Sequence, residues 1–363
     1  MAYQTRTLQE WCDGFYKIYK SNDSQRSLSN FWVQVSNDAS KVSESVRRRE
    51  YEEAIYHLGN AFCWTCCFAE RMRSDMMKIQ AGKDVLKIKG DLFQDWILNR
   101  YPFACHHCGE NPCHCLLDIE TIERRKDGEK EKEKYDELMS HRSEKLVQAR
   151  QAIKGDPGIK NLSLIEFFNK FSEIHGNRLF VSSLEEITFH YLEEIGEVGQ
   201  AIAMLETLVG ETSADSWGKL AKADPDLKLI SRFRPEELKS AFELAKQSFE
   251  GKPALLDQLA ALKSSDGYGS AAYRLGCDDI IDELCDVFSW TSSIAAKIRK
   301  LEKKTFTLVD VFRGEKNVIG KREKKYVHGE NFEFRCPYCM EKSCTVSCPL
   351  SNALKKAAES TIS

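Results

Sequence analysis

Two short acidic pairs are the groups in this chain best suited to do chemistry: Glu194-x-x-Glu197 in HYLEEIGEVGQAI and Glu283-x-x-Asp286 in DDIIDELCDVFSW. An i, i+3 spacing sends both carboxylates of a pair from one helix face. Each pair lies beside an apolar stripe, Leu192, Ile195 and Val198 in the first and Ile281, Leu284 and Val287 in the second. Acids beside a core-facing stripe are costly to hold there unless a cation joins them. Two such helices packed together would set four carboxylates around one point. That suits a hard divalent cation, Mg2+ (or Mn2+), with water and substrate phosphates completing its shell. A lone Glu-x-x-Glu reads best as a solvated, salt-bridged helix face; two motifs with these flanks, in this order, favour the metal site. Gly196, inside the first motif, costs about 1 kcal/mol in a helix relative to alanine, so close helix packing or room for phosphate is expected there.

Sulfur supplies the second chemistry. Eight of the 14 cysteines fall in two tight clusters, Cys105, Cys108, Cys113 and Cys115, then Cys336, Cys339, Cys344 and Cys348. Four thiolates in so short a span suit tetrahedral, structural Zn2+, one per cluster. His106, His107 or His114 offers a substitute ligand in the first cluster, because Cys113 and Cys115 are unusually close. Cys348-Pro349 also suits an iron–sulfur ending, but the C-x2-C-x2-C spacing is missing. C-x2-C-x4-C resembles half of a nucleic-acid-binding zinc knuckle, with Lys321, Arg322, Lys324 and Lys325 nearby. A lysine run near a fold end is more often solvated surface, so nucleic acid is not the favoured partner. The other six cysteines sit in apolar helical contexts and read as buried thiols.

The chain repeats itself. LGNAFCWTCCFAERMR from Leu58 matches LCDVFSWTSSIAAKIR from Leu284, pairing Phe62, Trp64, Thr65, Ala69 and Arg73 with Phe288, Trp290, Thr291, Ala295 and Arg299. Cys105, Cys108 and Cys113 match Cys336, Cys339 and Cys344, and QVSNDASKVSES lies against HYLEEIGEVGQA. Helix, helix, cysteine cluster thus recurs as a duplicated module. The copies differ at the acids: Asp38 and Lys41 stand opposite Glu194 and Glu197, His57 and Asn60 opposite Glu283 and Asp286. A lysine in a carboxylate cage repels a cation, so the first copy is expected to keep the fold and lose the metal.

At 363 residues, with 42% hydrophobic and 30% charged residues, the chain can bury a core in each of two modules. A net charge of -3 argues neither for nor against nucleic acid. The start MAYQTRTLQEW has no signal-peptide core and no run is long enough to span a membrane, so a cytoplasmic protein is expected. The expected architecture is all-α: a helical module over 1–100, a cysteine cluster over 101–118, a charged linker over 119–160, a second helical module over 161–320 and a second cluster over 321–363. GDPG at 155–158 breaks the linker, and the second module opens near Ser163 on a capped amphipathic helix. Helices are expected over 7–20, 30–47, 50–77 and 91–99, short strands near Val85 to Ile88 and Phe332 to Phe334, and a helical insertion over 207–276.

The paired motifs resemble the all-α nucleoside triphosphate pyrophosphohydrolases of the MazG-like group, whose Glu-Glu-x-x-Glu helix precedes a Glu-x-x-Asp helix. Here those read Glu193, Glu194, Glu197, then Glu283 and Asp286. The openings TLQEW and LSLIEFF also suit it, and some members carry a cysteine-rich tail. The gap between the motifs is longer here than in the family. The resemblance implies Mg2+-dependent cleavage of an NTP to NMP and pyrophosphate in the second module, with the first a pseudoenzyme. It also implies an oligomer, whose helix packing a tandem chain could supply internally. Glu194, Glu197, Glu283 and Asp286 would hold the metal, and Glu193 would bind at its edge or act as general base. A nucleotide sensor or nucleic-acid binder on the same scaffold is the alternative. Phe288 and Trp290 suit core better than base stacking; Arg178, Lys297, Arg299 and Lys300 are phosphate contacts by charge alone.

Overall fold

The computed structural model describes residues 5–23, 26–106, 108–113, 141–156, 158–209, 268–302, 308–313, 326–328, 333–337 and 339–344. Cys115, Cys348, His107, His114, Phe332, the 321–325 basic run, most of the charged linker and residues 210–267 of the insertion lie outside them. No helix among the described residues is long and apolar enough to cross a membrane.

The chain is all-α, with two helical lobes packed together and a cysteine-rich turn near the boundary of each. The first lobe holds α1 (Leu8–Asp23), α2 (Leu28–Arg47), α3 (Tyr51–Met76), α4 (Gln80–Lys89) and α5 (Phe93–Arg100). Then come α6 (Arg142–Gly155) and a 3-10 turn at Ile159–Asn161. The second lobe holds α7 (Leu164–Ile174), α8 (Gly176–Val181), α9 (Leu184–Val209), α10 (Tyr268–Glu302) and α11 (Leu308–Arg313). A hairpin, β1 (Val327–His328) with β2 (Glu333–Phe334), precedes the second cysteine turn; it pairs antiparallel, Val327 opposite Phe334.

Local chemistry sets the helix starts. Ser27 caps α2, its hydroxyl accepting from the Asn30 amide at 3.1 Å. Ser163 and Glu166 form a reciprocal capping box on α7, and Thr7 with Glu10 makes the same two bonds at the start of α1. The expected strand near Val85 to Ile88 is instead the end of α4. Ala81, Val85 and Leu86 are buried at helical spacing, and Gly90, at φ 104, ends the helix where a side chain would be strained. β-Branched residues bias toward strands only weakly, and the packed face decides.

Two antiparallel pairs of long helices, α2 with α3 and α9 with α10, form a four-helix core in which α2 lies on α9 and α3 on α10. In α9 the buried positions Leu184, Ile187, Tyr191, Ile195, Val198, Ile202 and Leu205 recur every three or four residues. Each buried side chain of that size contributes roughly 1.5–3 kcal/mol. Trp32 of α2 donates its indole N–H to the Ile195 carbonyl at 2.8 Å, and Gly199 leaves room for its ring.

The lobes meet through residues at matched positions of the two copies. Thr7 and Ser163, the caps of α1 and α7, meet in an antiparallel bridge, with Leu164 N–H donating to the Arg6 carbonyl at 2.8 Å. The matched residues Phe62 and Phe288 face each other with ring centroids 6.1 Å apart. The elements after each long pair cross to the other lobe. Helices α4 and α5 lie on α10, and α11 lies on α3. Phe93 of α5 meets Phe288, and Phe312 of α11 stacks on Phe62.

Candidate functional site

The acids meet where α9 runs along α10. Glu194, Glu197 and Glu283 each place a carboxylate oxygen within 4.8 Å of the other two. Glu283 is buried, Glu194 half-buried and Glu197 exposed, so the cluster opens to solvent at one end. The apolar stripes beside the motifs force this meeting. Ile195 and Val198 bury α9, Ile280, Ile281 and Leu284 bury α10, and the acids between them have one shared direction left.

Trp290, one turn beyond Asp286 on α10, donates its indole N–H to Glu194 Oε1 at 3.0 Å and stacks on His190 at 5.0 Å. It therefore orients an acid. Phe288 is core, stacked on Phe168 with centroids 5.3 Å apart. Burial pushes the Glu194 carboxyl up to about 8; the nearby charges of Asp286, Glu197 and Glu283 push the same way, against the Trp290 hydrogen bond. Crowded like charges with an open mouth have the electrostatics of a cation site. Among the described residues, no side chain stands within 4 Å of where a Gly196 Cβ would be. Close helix packing therefore does not account for that glycine, whose absent side chain leaves that helix face open.

Asp286 is differently employed. Arg100, the last residue of α5, grips both its oxygens, with Nε donating to Oδ1 at 3.0 Å, and its Nη1 lies 3.3 Å from Asp282 Oδ2. The Tyr101 hydroxyl donates to Asp286 Oδ1 at 2.6 Å. Burial opposes the Arg100 charge, but Asp286 and Asp282 outweigh it and raise its pKa. Lys89 of α4 binds Asp282 at 2.8 Å and Asp278 at 3.1 Å. The first lobe thus lays two cations along the acidic edge of α10. Glu193 turns away from the cluster to His190, at 2.7 Å.

The cationic residues singled out by charge alone lie elsewhere. Lys297 donates to the Leu179 carbonyl, Lys300 stands over Phe180, and Arg299 reaches Asn169 at 3.5 Å. The Arg178 side chain is outside the described residues. Lys89 also lines a cleft of about 970 Å³ between α4, α5 and α6, where it and Lys83, Lys87, Arg150, Lys154 and Lys160 outnumber Asp91, Asp95 and Asp156. Its charge suits an anion, the opposite of the acidic cluster.

In the first lobe the matched positions make no such cluster among the described residues. His57 Nδ1 lies 3.1 Å from Asp38 Oδ1, and Asn60 accepts from the Tyr326 hydroxyl at 3.3 Å. Tyr326 onto Asn60 mirrors Tyr101 onto Asp286, each tyrosine crossing to the other lobe.

The cysteines converge too. Cys105, Cys108 and Cys113 form one group, Cys336, Cys339 and Cys344 the other, and either triad could chelate a metal. The turns match bond for bond. Cys105 N–H donates to Glu110 O and Gly109 N–H to Cys105 O; Cys336 N–H donates to Glu341 O and Met340 N–H to Cys336 O. Each turn clasps the first helix of the opposite lobe, Cys113 N–H on Ile174 O at 2.7 Å and Cys344 N–H on Ile18 O at 2.6 Å. The remaining cysteines, Cys12, Cys63, Cys66, Cys67, Cys277 and Cys285, are buried thiols.

Searches against protein-family models, curated proteins and solved structures find no match to this chain.

Proposed function

We propose that the second module is a Mg2+-dependent nucleoside triphosphate pyrophosphohydrolase of the MazG-like kind, and that the first is a pseudoenzyme. The observation that carries this is the convergence of Glu194, Glu197 and Glu283 within 4.8 Å on two helices. Such a cage fits a hard cation, because burial first and then the neighbouring carboxylates push Glu194 up to about 8, and a bound divalent ion would offset both.

When bound, the metal supplies charge neutralisation for the phosphate tail and a water of lowered pKa. Glu194, Glu197 and Glu283 would hold it, with Asp286 joining from one turn further along α10. Trp290 fixes Glu194 through one oxygen and leaves the other for coordination. Glu193, half-exposed and bound to His190, would have to swing from that partner toward the cluster to accept a proton from a water attacking the α-phosphorus, with pyrophosphate as the leaving group. Lys41, His57 and Asn60 cannot repeat this in the first module, since one is cationic and another is a neutral amide. The two cysteine triads fit structural Zn2+, with Cys115 and Cys348 as fourth ligands.

The test is a pyrophosphate-release screen across NTPs, dNTPs and their oxidised or deaminated forms with Mg2+, with Glu197→Gln and Asp286→Asn as controls. Release of NMP and pyrophosphate from at least one substrate, lost in both variants, is expected. A folded wild type that cleaves none of them rules the activity out.

A further inference from the structure

Asp286 presents a conflict. The activity proposed above wants it on a metal, yet both its oxygens are held by Arg100. We infer that Arg100, donated by the ligand-poor lobe, and the divalent cation compete for Asp286, and that the displaced guanidinium binds the phosphate tail of the substrate. This rests on the reading of the acidic cluster as a metal site.

Four observations carry it. Arg100 is about a quarter exposed, with 23% of its side chain open to solvent, so a ligand in solution has access to it. Its third nitrogen lies on Asp282, which is not among the clustered acids and so keeps a hold on the guanidinium when Asp286 lets go. Tyr101 also donates to Asp286, so that carboxylate keeps a partner through the exchange. Last, the planar fork that now fits one carboxylate fits a phosphate by the same bidentate geometry.

The exchange balances charge. Without metal, the guanidinium neutralises Asp286 while Glu194, Glu197 and Glu283 crowd together. With metal, Asp286 has a divalent counter-ion, and the free arginine meets the incoming polyanion. Arg100 is then a substrate-binding residue from the lobe that lacks the metal ligands, so neither lobe alone builds the full site.

Mn2+ binding to the nucleotide-free protein, by calorimetry, separates this from a merely structural arginine. Arg100→Gln is expected to bind Mn2+ at least threefold more tightly than wild type, because a competitor is gone. The same variant is expected to raise KM for the cleaved nucleotide at least tenfold at saturating Mg2+, with Arg100→Lys intermediate. Unchanged or weaker Mn2+ binding by a folded Arg100→Gln overturns the competition, while the acidic site itself stands. A wild type that binds no Mn2+ overturns both. If Arg100→Gln does not fold, wild-type crystals soaked in Mn2+ and a non-hydrolysable NTP decide it. A guanidinium moved from Asp286 to phosphate supports the inference, and one still on Asp286 refutes it.

Discussion

Divalent-cation affinity should depend steeply on pH through one residue, Glu194. Its carboxyl titrates at about 8 instead of the usual 4.5, so the metal-free protein at pH 7 holds a proton there that any metal must displace. With that value, linkage predicts affinity rising about ninefold from pH 6 to 7, about fivefold from 7 to 8, and less than twofold beyond. About 0.9 proton should be released per metal at pH 7. Isothermal titration with Mn2+ in buffers of different ionisation enthalpy measures both quantities. Glu194→Gln should bind more weakly at pH 8 and lose the slope. The folded form holds a proton that the unfolded chain sheds above 4.5, so metal-free stability should fall as pH rises from about 4.5 to about 8, by an amount on the order of a few kcal/mol. Mn2+ should then raise Tm most near pH 8. A flat affinity between pH 6 and 8, or an equal slope in Glu194→Gln, would refute the claim that burial beside the neighbouring carboxylates keeps this proton on Glu194.

Three other outcomes are expected. Metal analysis should find two zinc ions per chain, and chelation should lower Tm in one cooperative step, because each cysteine turn clasps the opposite lobe through Ile174 or Ile18. Gly14→Ala should destabilise the protein by about 1–3 kcal/mol in thermal unfolding, since a Cβ there would stand 2.2 Å from the Phe334 ring and must push the hairpin off α1. Lys41→Glu, His57→Glu and Asn60→Asp together should add a second Mn2+ equivalent in calorimetry, because the helices that frame the first-lobe positions are already packed as in the second lobe.

Much of this arrangement was legible in the sequence because it is carried by local periodicity. The acid pairs beside Ile195 and Leu284 had one face to occupy, and the matched Phe62 and Phe288 signalled a duplication that the lobe packing repeats. The Ser163 cap and the break at Gly155 stood where turn chemistry placed them. What stayed hidden is the exchange of elements between lobes. Arg100 meets Asp286 across 186 residues, and no spacing rule links a helix end to an acid in the other copy. The paired tyrosines were equally invisible, since Tyr101 lies four residues before its cysteine turn and Tyr326 ten before its own. Trp290 is core, as its helical spacing and its repetition at Trp64 implied, but its hold on Glu194 was not legible, because the matching Asp38 faces His57 instead. Val85 misled through β-propensity, which yields to a buried helical face.

The most direct test of the central claim is single-turnover cleavage of an NTP with Mg2+, resolving NMP and pyrophosphate from NDP and phosphate, in wild type and in Glu283→Gln. Conversion to NMP and pyrophosphate by the wild type, abolished when the buried Glu283 carboxyl is replaced by an amide, is the predicted result. Equal turnover by a folded Glu283→Gln, or NDP as the product, would show that the carboxylates joining α9 to α10 do not perform this reaction.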